Sequence, residues 1–166
     1  MKVERREIWK VLIFAGFFVM LALFVSIGCA SGATAPEEEW NRTFGGSSYD
    51  YGLSVQQTTD GGYIITGDTC SFGTGRTDVW LVKTASDGME EWNRTFGKYP
   101  NFQDHGYSVQ QTTDGGYIIA GSAPHFDKIS VWLIKTAANG AKNWDRTFGG
   151  YPDDQSYSVQ QTTDGG

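Results

Sequence analysis

Asn41-Arg42-Thr43 and Asn93-Arg94-Thr95 are the tripeptides best equipped for covalent chemistry in this chain. An asparagine two positions before a threonine accepts an N-linked glycan when the chain is exported. The third copy of the tripeptide reads Asp145-Arg146-Thr147, so the position also accepts a carboxylate. Asn41 and Asn93 are therefore either glycan sites or polar residues on the open face of a strand. Cys29 is the second candidate for modification: Gly28 precedes it, as at a lipidated N-terminal cysteine, with Ser26 where leucine is usual. Asp50, Asp104 and Asp154 each stand five residues before a valine, and Asp153 doubles the last. Oxygen-rich loops invite calcium, but a hard cation takes about six to eight oxygen ligands, and one or two carboxylates fall short. These aspartates are read as caps on loop N–H groups. Cys70 is alone in a loop, and neither His105 nor His125 has a triad context, so no nucleophile is nominated. Nor do the arginines cluster as a site for an acidic sugar needs: those that repeat, Arg42, Arg94 and Arg146, are expected to be buried.

The elements that hold these residues follow from an internal repeat. Trp-(Asn/Asp)-Arg-Thr-Phe-Gly begins at Trp40, Trp92 and Trp144, a period of 52 residues. Ser-Val-Gln-Gln-Thr-Thr-Asp-Gly-Gly recurs from Ser54, Ser108 and Ser158, and Val79-Trp80-Leu81-Val82-Lys83-Thr84 returns as Val131-Trp132-Leu133-Ile134-Lys135-Thr136. A fixed period of this length means a repeat architecture. Each period predicts four short strands. Leu53 to Thr59 alternates, Asp60-Gly61-Gly62 turns the chain and Tyr63 to Thr66 returns. Four consecutive apolar residues, Val79 to Val82, predict a strand buried on both faces. Asp87-Gly88 and Asn139-Gly140 are two-residue hairpin signals leading into a last strand, Glu90 to Phe96 in the first copy. The period of two puts Trp92, Arg94 and Phe96 on one side, which predicts a guanidinium between two aromatic faces, worth about 0.5–2 kcal/mol.

The first 35 residues are a different polymer: four basic residues by Lys10, an uncharged apolar run from Val11 to Ala30, then small residues to Ala33-Thr34-Ala35. This predicts an export signal, cleaved after Ala35, retained as an apolar anchor helix, or lipidated at Cys29. Without these residues the chain keeps 9 Lys and Arg against 17 Asp and Glu, a net charge of −8. Such a surface repels phosphate backbones, so nucleic acid and anionic membrane are not expected as partners, and membrane contact is expected only through the N-terminal segment. Glu37 to Glu39 form an acidic linker.

Four antiparallel strands per period, with aromatics at fixed places, predict an all-β fold: a partial β-propeller of four-stranded antiparallel blades at about 52–97 and 106–149, with isolated strands at 40–45 and 156–163. A β-solenoid is the competing architecture. Two and a half blades do not close a ring, so a piece of a longer array, or copies that associate, is expected. Ser-Val-Gln-Gln-Thr-Thr-Asp-Gly-Gly-Tyr-Ile-Ile-Ala-Gly, then Val-Trp-Leu-Ile-Lys-Thr and Trp-x-x-Thr-Phe-Gly-Gly, resembles the tandem β-propeller repeat of secreted and cell-surface prokaryotic, largely archaeal, proteins, over residues 40–166. The resemblance implies an extracellular repeat protein without assigned activity. A fainter likeness to quinoprotein blades, in the spacing Gly88 to Trp92 and Gly140 to Trp144, implies no cofactor. The Asp-box turn of sialidase propellers separates Asp from Gly by one residue, whereas Asp87 and Gly88 are adjacent. The expected function is non-enzymatic: binding, adhesion or envelope structure toward an extracellular protein or glycan, without cofactor or metal, through the loops Ser71 to Thr77, Lys98 to Asp104 and Pro124 to Ser130. The alternative is a propeller-type enzyme, quinoprotein-like or hydrolase-like, whose site lies outside these residues.

Overall fold

A computed structural model describes residues 37–125, 128–149 and 153–165. The chain divides into Met1–Glu39 and Trp40–Gly166. Of the first unit only 37–39 are described, exposed and without regular structure; the predicted signal or anchor at 1–35, with Cys29, lies outside the described residues. Among the described residues no helix is long and apolar enough to cross a membrane.

The second unit is all-β. Its strands are β1 (Asp50–Gln57), β2 (Tyr63–Thr69), β3 (Asp78–Thr84), β4 (Glu90–Phe96), β5 (His105–Gln111), β6 (Tyr117–His125), β7 (Lys128–Thr136) and β8 (Lys142–Phe148). They form two four-stranded antiparallel meanders, β1-β2-β3-β4 and β5-β6-β7-β8. The registers match position by position: Gly67 faces Trp80 as Gly121 faces Trp132, and Leu81 faces Arg94 as Leu133 faces Arg146. Trp80 and Trp132 are both buried, as their matched places require.

The second strand of each sheet runs past the predicted end at Thr66, because the glycine that follows is strand interior. A Cβ at Gly67 would stand 1.8 Å from the Tyr51 carbonyl oxygen, and one at Gly121 1.8 Å from that of His105. Each close approach lies beside a bulge in the first strand, between Gly52 and Ser54 and between Gly106 and Ser108. Two expected strands are absent. Residues 40–45 and 156–163 carry no strand, since a strand needs a ladder and neither segment has a backbone partner strand among the described residues.

The two sheets share one apolar core, in which Val79, Leu81 and Phe96 of the first meet Val109, Tyr117 and Ile119 of the second. Apolar packing is joined by a side-chain ladder. Val109 N–H donates to Ser54 Oγ at 3.4 Å, Gln111 N–H to Gln56 Oε1 at 2.7 Å and Thr59 N–H to Gln111 Oε1 at 2.8 Å. The pattern repeats one period on: Val159 N–H donates to Ser108 Oγ, Gln161 N–H to Gln110 Oε1 and Thr113 N–H to Gln161 Oε1. First strands thus sit side by side with side chains spanning the gap, which satisfies edge N–H groups without fusing the sheets.

Tryptophans make the second link. Trp40 meets Tyr63 with ring centroids 5.7 Å apart, and Trp92 meets Tyr117 at 5.9 Å. Each also lies on the turn glycine of the hairpin that follows: a Cβ at Gly88 would be 2.5 Å from the Trp40 ring, and one at Gly140 2.7 Å from that of Trp92. Those glycines adopt φ of 78° and 79°, so the turn and the contact require glycine for independent reasons. Arg94 sits 5.4 Å from the Trp92 ring centroid and Arg146 6.0 Å from that of Trp144, each over one ring rather than between two. Arg42, Arg94 and Arg146 are all exposed.

Candidate functional site

Segments that differ most between repeats converge at one end of the sheets; the expected loops at 71–77 and 98–104 are loops, but Pro124 and His125 continue β6 and Lys128 to Ser130 open β7, because the hairpin ladder runs on through Pro124 with Ile129 and His125 with Lys128. The β2–β3 loop is tied to the 97–104 segment by Arg76 N–H and Thr77 N–H, which donate to the Phe102 carbonyl, and by Asp104 N–H, which donates to the Thr77 carbonyl at 2.8 Å. A parallel bridge joins Thr77 to Gln103. Across from them, Asp153 accepts from Ile129 N–H at 2.9 Å, and Asp154 N–H donates to the Ile129 carbonyl at 3.0 Å. Between these walls lies a cleft of about 430 Å³, lined by Arg76, Phe102, Gln103, Pro124, Lys128 and Ile129 among others. Phe102 is exposed, with Tyr99 edge-on to it at 6.2 Å. Asn101, just before it, holds a left-handed φ of 66°, the one such non-glycine among the described residues; such conformations concentrate at binding sites. An aromatic face beside guanidinium, ammonium and amide groups can stack on a sugar ring or a peptide side chain while hydrogen bonds orient it.

Two buried carboxylates, Asp78 and Asp104, follow the bridged residues Thr77 and Gln103 in sequence. Asp78 is 1 % exposed and its Oδ2 accepts from Thr74 and Gly75 N–H; Asp104 is 0 % exposed and its Oδ2 accepts from Lys98 N–H at 3.1 Å. The Oδ1 of each has no donor. Burial, reinforced by the neighbouring Asp78 charge, pushes Asp104 up to about 6. Its neighbour His105 holds the sheets together: His105 Nδ1 lies 2.7 Å from Asp68 Oδ2, and Gly106 N–H donates to Asp68 Oδ1 at 3.0 Å. The bond to Asp68 raises the imidazole above its ordinary value, favouring the charged pair.

Two of the aspartates read as loop caps, Asp50 and Asp104, accept loop N–H groups, whereas Asp153 accepts from Ile129 of β7. Asp50 accepts from Thr69 Oγ1, Ser71 Oγ and Gly46 N–H, and these bonds outweigh burial to hold its carboxyl below the usual range. Among the described residues no three His, Cys, Asp or Glu gather as a metal site. Cys70 is exposed and its Sγ lies 3.4 Å from Thr77 Oγ1. Asn41 is exposed. Asn93 is half-buried on β4, its amide donating to Glu90 Oε1 at 2.7 Å. Asp145 is likewise half-buried and accepts from Trp132 Nε1 at 2.9 Å, so this position answers the buried tryptophan of its own sheet rather than facing open water. Trp80 Nε1 has no such partner.

What sequence reasoning missed is the inter-sheet role of Ser-Val-Gln-Gln. The signal was the recurrence of two glutamines in all three copies, on a strand where a solvated polar residue has no reason to be kept in one type. No protein-family model matches the chain, and no curated protein matches it.

Proposed function

We propose that this chain is an exported β-propeller module that binds at the cell surface rather than catalyses. Each four-stranded sheet is one blade, the apolar segment at 1–35 takes the chain out of the cytoplasm as signal or anchor, and the cleft lined by Arg76 and Phe102 recognises an extracellular protein or glycan. The convergence of two dissimilar loops and the β6–β7 hairpin on one cleft, beside two sheets of matched register, carries this reading: a repeated scaffold holds constant what varying segments present. The resemblance of residues 40–166 to surface propeller repeats supports the same view, as does the acidic balance without the N-terminal segment.

Binding is tested by presenting the full-length chain to arrays of envelope glycans and surface proteins. Arg76→Ala and Phe102→Ala should each weaken capture about tenfold with unchanged circular dichroism, since aromatic and arginine anchors dominate such contacts. Equal capture by the double variant would remove the cleft as the binding site. Export is tested separately with a reporter fused after residue 39, expected outside the cytoplasm; retention inside would reject the address.

A further inference from the structure

Asp78, the first residue of β3, and Asp104, the residue before β5, are buried side by side, and the Oδ1 of each is sealed from solvent without a donor. They flank the parallel bridge of Thr77 with Gln103, and Asp104 N–H donates to the Thr77 carbonyl. Consecutive residues touch both carboxylates. A Cβ at Gly97 would stand 2.5 Å from Asp78 Oδ1, and Lys98 N–H donates to Asp104 Oδ2. The two cationic side chains that act on Asp104 are engaged elsewhere, Lys98 Nζ with Asp145 and the Trp132 ring, His105 Nδ1 with Asp68. Buried charge of this kind calls for a partner of opposite sign.

Main-chain oxygens converge on the same place. A Cβ at Gly75 would lie closest to Asp78 Oδ1, 2.9 Å from the Phe102 carbonyl oxygen and 3.2 Å from that of Thr77, so three oxygens crowd one position that a side chain would cover. Carbonyl oxygens carry two lone pairs, and an N–H on one does not close it to a cation. The repeat shows that the second carboxylate is not demanded by the fold. Asp154 N–H bonds the Ile129 carbonyl as Asp104 N–H bonds that of Thr77, yet Ser130 stands where Asp78 would be.

We propose that Asp78 and Asp104, with the carbonyls of Thr77 and Phe102, form a calcium site that clamps the β2–β3 loop to the 97–104 segment. Counting carboxylates alone leaves such a site short of ligands; the two carbonyls supply hard oxygens of the right class, and water fills the rest of the about six to eight positions. The ion answers both buried negative charges and fixes Phe102 through its backbone. This goes beyond the cleft reading and does not rest on it, since calcium alone is the probe.

The test takes full-length chain in mild nonionic detergent, stripped with chelator and exchanged into metal-free buffer, and titrates calcium chloride by calorimetry. About one ion per chain should bind, with a dissociation constant of about 0.1–1 mM, as in extracellular modules. At calcium about tenfold above that constant the melting temperature should rise by about 5 °C. Magnesium at the same concentration should raise it by less than half as much, because it demands stricter geometry. Asp78→Ser, which writes the residue of the second sheet into the first, should lose both the heat signal and the shift with an unchanged circular dichroism spectrum. Asp50→Asn, at a cap whose two oxygens are both occupied, should keep them. No saturable binding by the unaltered chain, an equal shift with magnesium, full binding by Asp78→Ser, or equal loss by folded Asp50→Asn overturns the site. The first two outcomes need no variant, so a substitution that fails to fold does not protect the proposal.

Discussion

Strands β3 and β7 are near-copies, Asp-Val-Trp-Leu-Val-Lys-Thr and Ser-Val-Trp-Leu-Ile-Lys-Thr, yet one is buried throughout and the other alternates. Val79, Leu81 and Lys83 are sealed because the second sheet lies over that face of the first, whereas Leu133 and Lys135 line a cavity of about 220 Å³ beside Trp144 and, like Val131, are only partly covered. Four apolar residues in a row therefore state a capacity for two-sided burial, and the neighbour decides whether it is used. The sealed lysine shows the same logic: Lys83 Nζ reaches Asp60 Oδ2 at 2.9 Å and Glu91 Oε2 at 3.1 Å, while Lys135 meets Asp114 alone among carboxylates. Asp60 is held at about 2, first by the Thr58 hydroxyl and then by Lys83.

Truncating paired positions should separate the two sheets most widely. Leu81→Ala is expected to cost about 3 kcal/mol and Leu133→Ala about 1 kcal/mol, because a cavity penalty applies only where neighbours surround the site. Urea unfolding followed by tryptophan fluorescence measures both; equal costs would mean that the second sheet does not cover the first in solution.

The next effect is a fall in stability with rising pH. The folded protein raises Asp104 from 3.8 to about 6, so it favours the protonated form, and this contribution, full below about 4, is lost as pH climbs through 6. His105 is favoured protonated by Asp68, so its contribution is present below 6.5 and lost as pH rises through its raised value. Melting between pH 5 and 8 should register a loss of about 1 kcal/mol from Asp104, to which His105 adds in the same direction. Asp104→Asn should flatten the lower part of the curve and His105→Gln the upper part. A flat wild-type profile would contradict both placements.

The smallest expected effect transplants a detail. Glu90 and Asn93 correspond to Lys142 and Asp145, which make a 3.0 Å ion pair whose carboxylate also takes the Trp132 indole proton. Glu90→Lys with Asn93→Asp should give Trp80 the acceptor it lacks and stabilise the first sheet by about 1 kcal/mol, since a buried donor left without a partner costs about that much. A loss of stability in the same unfolding assay would show that the Asn93–Glu90 bond is worth more than the indole contact.

Strand order, hairpin positions and the equivalence of Trp80 with Trp132 were legible because turn glycines and period-two patterning are local. Loop convergence was legible only as variability, not as a cleft, since the ties through the Phe102 carbonyl and Asp153 are backbone contacts between distant segments. Asp68 was invisible for a related reason: its equivalent is Ser122, so the repeat gave no hint that His105 needed a carboxylate. Arg94 was misjudged because spacing fixes a side of the strand but not what covers it.

The serine and glutamine ladder has a genetic consequence. Acceptors and receiving N–H groups lie in one recurring stretch of sequence, so this part of each junction needs no dedicated complementary surface. Unequal crossing-over between such recurring segments would insert or delete a whole sheet and leave the serine and glutamine ladder of every remaining junction intact. Copy number can therefore drift between lineages faster than the junction sequence itself, and selection on Ser-Val-Gln-Gln would persist while the number of sheets changed.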